Sequence, residues 1–89
     1  MVIKKLIWDE WNVEHIARHN VIPDEVEEVC LAKNLLNKSK NKTYRVIGQT
    51  DDGRYLTIFI AKKENGYYPM TARDSMKQER QAYGKIRKS

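Results

Sequence analysis

The sequence is poor in the residues that usually give a small protein away. It has one cysteine, Cys30, so no disulfide can form within the chain. Two prolines and four glycines exclude a collagen-like or Pro/Gly-rich low-complexity chain. No apolar run approaches the length of a membrane span. Met1 to Asp9 lacks a long apolar segment followed by a small-residue cleavage site, so no signal peptide is expected. With the lone cysteine, this makes the cytoplasm the expected compartment. There is no glycine-rich phosphate loop, no serine-elbow motif and no Asp/Glu cluster suited to Mg²⁺. His15 and His19 share a helix face, but Ile16 stands where a zincin motif needs Glu. No Cys/His cluster completes four ligands, so neither a metal site nor a cofactor is expected.

What remains is a single small domain of 89 residues, 40% hydrophobic and 33% charged. Its charge is unevenly spread. Residues 1–32 hold three Lys/Arg and seven Asp/Glu, net −4. Residues 33–89 hold fourteen Lys/Arg and five Asp/Glu, net +9. A basic half on a small domain is the electrostatic footprint of a polyphosphate binder, or of a protein with an acidic partner.

Thr43 to Ala61 is the organising stretch. Tyr55 to Ala61 is charge-free, rich in β-formers and too short for a helix. Thr43 to Thr50 is a second strand-like run, and Asp52-Gly53 suits a two-residue type I′ turn between them. That turn pairs Thr50 with Tyr55, Ile47 with Ile58 and Arg45 with Ile60. It puts Ile47, Leu56, Ile58 and Ile60 on one face, against the helices. Tyr44, Val46, Gly48, Thr57 and Phe59 form a second, partly open face.

Around this hairpin, Lys4 to Trp8 reads as a first strand. Asn12 caps a short helix over Val13 to His19, with Val13, Ile16 and Ala17 as its apolar stripe. Asn20 ends it in the left-handed conformation. Pro23 opens a second helix, with Asp24 and Glu25 in its first turn and Val26, Val29 and Cys30 facing the core. Lys33 to Lys42 reads as a short edge strand or irregular segment followed by a basic loop. Glu64-Asn65-Gly66 makes another turn, with Asn-Gly at its centre. Tyr67 to Arg73 is then an antiparallel strand that Pro69 keeps near an edge. Asp74-Ser75 caps a last helix that runs through Ile86 and frays into Arg87-Lys88-Ser89, with Ser75 and Gln78 at capping-box spacing. The order β-α-α-β-β-β-β-α is that of an α+β domain: a small antiparallel sheet, two short N-terminal helices and one C-terminal helix. A helix-turn-helix is rejected, because its reading helix would carry Asp24, Glu25, Glu27 and Glu28 toward phosphates.

Few residues offer chemistry. Imidazole as a group suits acid–base work, which nominates His15 and His19; either can equally pack beside Trp8 or Trp11, or be solvated. Arg45, Arg54, Arg73 and Arg80 come from four elements. Together they make an anion site; singly, each is a surface arginine with an acidic partner. Arg80 and Tyr83 share a face of the last helix. Trp11, Tyr44, Tyr55, Tyr67 and Tyr68 can stack on bases, whereas Trp8 and Cys30 read as core.

These pieces resemble the BrnT family. The matching residues are Trp8-Asp9, Asn12, His15, His19-Asn20-Val21 and Pro23-Asp24-Glu25-Val26, followed by Tyr44-Arg45-Val46-Ile47-Gly48 and Asp52-Gly53-Arg54-Tyr55-Leu56. Thr71-Ala72-Arg73 and Glu79-Arg80-Gln81-Ala82-Tyr83 complete the pattern, which covers nearly the whole chain. Asn20 stands where the family usually has Gly, and Glu10, Trp11 and Glu14 stand where lysines are common, so the chain resembles a divergent branch. The resemblance implies a RelE-like ribonuclease of a type II toxin–antitoxin system. It also implies a ribbon-helix-helix antitoxin, expected on the Tyr44, Thr57 and Phe59 face, with the chain itself a homodimer or a hetero-oligomer with that antitoxin.

On this reading the protein is a metal-independent endoribonuclease that inhibits translation and growth. The 2′-hydroxyl of RNA attacks the adjacent phosphorus, which needs a base, an acid and positive charge on the phosphorane. His15 and His19 are the candidate base and acid, with Tyr83 behind them; Arg54, Arg73 and Arg80 stabilise the phosphorane; Arg45, Lys40 and Lys42 bind RNA. The competing reading is a non-catalytic RNA-binding or protein-interaction module of the same fold, since no motif here by itself demands catalysis.

Overall fold

Two capping residues compete at the start of the first helix, and Asp9 wins. In the computed structural model, which describes residues 3–87, α1 spans Glu10–Ala17. The Asp9 carboxylate accepts from Asn12 N–H, and the Asn12 amide oxygen accepts from Asp9 N–H, each at 2.9 Å. Asn12 is therefore the third helical residue rather than the expected cap. It is buried, because its amide nitrogen also donates to Ile7 C=O at 2.9 Å. The expected apolar stripe is narrower: Ile16 is buried, whereas Val13 and Ala17 are exposed. Asn20 has φ 60°, as expected for the helix end, and Val21 N–H reaches back to Ile16 C=O.

Helix α2, Pro23–Leu31, starts on Ile22, which has no capping oxygen; Glu25 compensates by accepting from Ile22 N–H. Val26, Val29 and Cys30 are buried, as the sequence predicts. Burial pushes the Cys30 thiol up to about 12, with Glu27 adding to the shift, so it stays a protonated core residue. At the far end, the Asn34 amide donates to Val29, Cys30 and Ala32 carbonyls, satisfying acceptors that a helix C-terminus leaves open.

Four strands follow: β1 Leu35–Lys38, β2 Thr43–Gln49, β3 Tyr55–Lys63 and β4 Gly66–Asp74. They pair antiparallel in sequence order, and α3, Lys77–Arg87, closes the chain. This is the expected α+β domain with one correction. Lys4 to Trp8 is not a full strand: it makes a single parallel bridge, Leu6 to Tyr67, on the outer edge of β4. The β3–β4 loop is Glu64-Asn65, one residue earlier than expected, since Gly66 already pairs with Lys63. Pro69 sits beside a register shift on β4, a position where a residue without N–H is tolerated.

The central hairpin is shifted by one residue from the expected register. Gln49 pairs with Tyr55 and Val46 with Ile58. The loop is Asp51-Asp52-Gly53: Gly53 N–H donates to Thr50 C=O, and Thr50 N–H to Arg54 C=O. Gly53, at φ 91°, takes the left-handed position of a three-residue hairpin loop. One step of register exchanges the faces of a strand. So Val46 and Gly48, not Ile47, share the helix face with Leu56, Ile58 and Ile60. That face packs on Ile3, Leu6, Ile16, Val21, Val26, Val29 and Cys30, with Trp8 and Tyr44 against the margin. The other face holds Ile47, Thr57, Phe59 and Tyr55, and α3 crosses it over β2 and β1. Ile47 and Thr57 are fully buried. The expected open face at Tyr44, Thr57 and Phe59 does not exist: Tyr44 is on the opposite side, and Thr57 is covered.

Helix α3 begins one turn-step later than expected. Met76, not Asp74-Ser75, is the capping position, since Arg80 N–H bonds to Met76 C=O. The reciprocal partner is Glu79, which accepts from Met76 N–H at 2.7 Å; Gln78 is not involved in that bond. Lys88 and Ser89 lie outside the described residues.

Gly48 marks where α2 meets the sheet. A Cβ there would stand 2.8 Å from Val29 Cγ1. Gly48→Ala is expected to lower stability by about 1–3 kcal/mol through overpacking. Chemical denaturation measures this, and adding Val29→Ala should recover part of the loss if the clash is the cause.

Candidate functional site

The sheet divides the sequence-nominated residues into two groups. Arg54 belongs to the α1–α2 side. It leaves the central turn and is held by Asp74 Oδ1 (Nε, 2.8 Å), both Glu25 oxygens (3.1 and 3.2 Å), and the carbonyls of Asn20 and His19. Its pKa is raised above the usual arginine value, first by the Asp74 hydrogen bond. An arginine so fully engaged ties the turn to the α1–α2 junction and the end of β4; it is not a free cation facing a ligand.

His15 and His19 are exposed on the same side, their rings 6.1 Å apart and tilted by 53°. Arg54 touches His19 through its backbone carbonyl and not its imidazole. Among the described residues no group of three His, Cys, Asp or Glu gathers as metal ligands.

Arg45, Arg73, Arg80 and Tyr83 lie on the opposite side, with α3. Register explains this for the strands: Arg73 pairs with Thr57, and Arg45 with Phe59, so both share their face. Arg73 donates to both oxygens of Glu79, at 2.7 and 2.9 Å, and lies 5.6 Å from the Phe59 ring centroid. Arg45 stands 3.7 Å from the same carboxylate. Glu79 is buried and also accepts from the Thr57 hydroxyl at 2.9 Å. Its carboxyl is held down to about 2, chiefly by the Arg73 hydrogen bond, against an opposing effect of burial. Thr57 in turn lies 2.8 Å from the Ser75 hydroxyl.

One pleat along, Tyr55 is edge-on to Tyr83 at 6.3 Å, and the Arg80 guanidinium is 6.0 Å from the Tyr55 ring centroid. Tyr83 is buried and Arg80 exposed. Tyr55, Lys77, Arg80 and Gln81 line a shallow cleft of about 330 Å³. The convergence of Arg54 with Arg73 and Arg80 beside the histidines is thus corrected: the sheet stands between them. Lys40 and Lys42 are exposed in the β1–β2 loop, at the end of the sheet away from the central turn.

The sequence alone does not single out Glu79 as a site residue, and it nominates Thr57 and Phe59 only for the antitoxin face and Tyr55 only for base stacking. Glu79 leaves a signal there, being the only carboxylate between Ser75 and Ser89 in an otherwise basic stretch. Comparison with models of known families, with curated proteins and with solved structures finds no match.

Two outcomes follow from this geometry. Arg54→Ala is expected to lower stability by roughly 2–4 kcal/mol, because charged partners lose their donor, and Arg54→Lys should recover only part. Thermal denaturation of the three proteins checks this. For Glu79, a lowered carboxyl pKa contributes stability above the unfolded value and loses it as pH falls toward the folded one. Unfolding free energy should therefore drop between about pH 4.5 and pH 2, by on the order of 3 kcal/mol from this group. Glu79→Gln should remove that part of the pH dependence.

Proposed function

We propose that the chain is the toxin of a type II toxin–antitoxin pair, an endoribonuclease that cleaves RNA without a metal ion. The observation that carries this reading is the α3 face, where Arg45 and Arg73 gather around the Glu79 carboxylate and Arg80 stands 6.0 Å from the Tyr55 ring centroid. Three of the five Arg73 N–H donors are engaged, by Glu79 and the Asp74 carbonyl, which leaves two for a phosphate. Charge arranged before the substrate arrives stabilises a phosphorane most effectively. The basic C-terminal part and the resemblance to the BrnT family point the same way. With both imidazoles across the sheet, acid–base work on this face falls to Tyr83 and its neighbour Tyr55. Attack by the 2′-hydroxyl leaves a cyclic phosphate on one product and a free 5′-hydroxyl on the other. The reading carries with it a cytoplasmic setting and a ribbon-helix-helix antitoxin from the same operon. No helix among the described residues is long and apolar enough to cross a membrane.

The second reading, a non-catalytic RNA-binding or protein-interaction module, is favoured by the separation of His15 and His19 from Arg45, Arg73 and Arg80. Incubating the protein with single-stranded RNA in EDTA decides between them. An enzyme gives cyclic-phosphate ends; a binder retards the RNA intact. Within the first reading, Arg80→Ala and Arg73→Lys should each slow cleavage by about 100- to 1,000-fold while circular dichroism stays unchanged. Full activity in both variants places the chemistry elsewhere. Copurification with the adjacent gene product tests the antitoxin.

A further inference from the structure

The chain carries a second basic feature, far from the α3 cleft in the topology. At the end of the sheet opposite the central turn, the β1–β2 loop and the β3–β4 hairpin flank a groove of about 670 Å³. Lys38, Asn41, Lys42, Tyr44, Lys62 and Lys63 line it, with Glu64 the one carboxylate among them. None of these lysines forms an ion pair among the described residues, whereas Arg45, Arg54 and Arg73 all do. Four lysines against one carboxylate leave the groove's lining a net charge of +3.

Its walls are fixed by backbone bonds. Lys62 N–H donates to Lys42 C=O at 2.8 Å and joins the two sides. Ser39 N–H bonds to Thr43 C=O, and Thr43 N–H to Lys40 C=O, closing the loop on itself. Asn41 and Lys42, at φ 52° and 62°, supply two successive left-handed residues that turn the chain there. Tyr44 gives the groove an aromatic wall, itself braced edge-on by Tyr67 at 6.2 Å.

Lysines along a braced groove with an aromatic side are the arrangement by which proteins hold single strands, charge following the backbone and a ring receiving bases. We propose that this groove is a binding track for single-stranded RNA, separate from the α3 face. It rests on the reading of the chain as an RNA-acting protein. It adds where the strand is held. A flat acidic protein surface would have no use for the aromatic wall, and a duplex keeps its bases stacked away from such a ring.

The test uses a labelled oligouridylate of about twelve nucleotides with 2′-O-methyl sugars, a length within the usual single-strand site sizes. It lacks the attacking hydroxyl, so binding is read without cleavage. The logarithm of the full chain's binding constant should fall linearly with the logarithm of salt concentration. Replacing Lys42, Lys62 and Lys63 together by Ala should reduce that slope by about 2, at roughly 0.7 for each phosphate no longer neutralised. The corresponding Lys→Arg triple should keep the slope, which separates charge from packing. Tyr44→Leu should weaken oligouridylate binding without weakening binding of inorganic polyphosphate. An unchanged slope in the Ala triple overturns the track. Equal effects of Tyr44→Leu on both ligands overturn the assignment to RNA in favour of any polyanion. The EDTA assay reports independently. Loss of the track with cleavage intact leaves the proposed enzyme standing, and a working track with no cleavage leaves only the track.

Discussion

The three-residue loop Asp51-Asp52-Gly53 sets the register on which both faces of the sheet depend. With one residue fewer, β2 would turn over against β3. Ile47 or Gln49 would then point at α2 where Gly48 now lies. Gly48 leaves no room for either, since even a methyl group would meet Val29 at 2.8 Å. Turn length and one glycine therefore select the same pairing from opposite ends of β2. The consequence reaches the far side. Ile47 is completely buried there, so that face needs a cover, and α3 supplies it. An apolar side chain of this size gains about 1.5–3 kcal/mol from burial, a gain that displacing α3 would forfeit.

Two arginine pairings then fix the helices to the sheet, one on each side. Arg54 binds residues from the α1–α2 junction and from β4 at once. On the other side Glu79 plays the corresponding role with reversed sign. One carboxylate caps α3 through Met76 N–H, grips β4 through Arg73 and takes a hydroxyl from β3 through Thr57. A buried ion pair adds little net stability when its desolvation is counted, but breaking it is costly. Its contribution here is geometric. Glu79 sets where α3 starts, and hence where Arg80 and Tyr83 stand relative to Tyr55. The arginine cluster and the cover over Ile47 are two results of the same interaction.

The β-runs, Asn20 and Pro23 can be read directly because their causes are local. Charge-free β-branched segments, a left-handed helix end and a proline at the first helical position need no distant partner. The failures share the opposite property. Asp9 and Asn12 are both good caps, and what decides between them includes the bond from Asn12 to Ile7 C=O. Asp-Gly fits a two-residue turn as well as a three-residue one, and the difference is settled by packing at Gly48. The arginines are legible as anion binders, but their partners are not. Glu25 and Asp74 lie 29 and 20 residues from Arg54 in the chain. A register misjudged by one residue then places side chains from opposite faces in one pocket.

Pairing also changes what the charge asymmetry means. The net +9 after residue 32 suggests a uniformly basic surface, yet Arg45, Arg54 and Arg73 face carboxylates within the fold. On α2 the three glutamates are likewise engaged: Glu25 with Arg54, Glu27 with the Trp8 indole, and Glu28 with Asp51 N–H. Among the described residues, the cations without an ion pair include the lysines at the loop end of the sheet and Lys77 and Arg80 beside Tyr55. A polyanion near this molecule meets an acidic α2 flank on one side and these cations on the others. The field orients it before contact, at ranges of about 8–10 Å in physiological salt. Orientation by lysines and close contact by arginines are different tasks. A flexible ammonium, strongly hydrated, attracts phosphate without fixing its geometry. A guanidinium held on Glu79 presents its remaining donors in a set direction. The Glu79 carboxylate that orders Arg73 also neutralises part of its charge, so order and free charge trade against each other at that position.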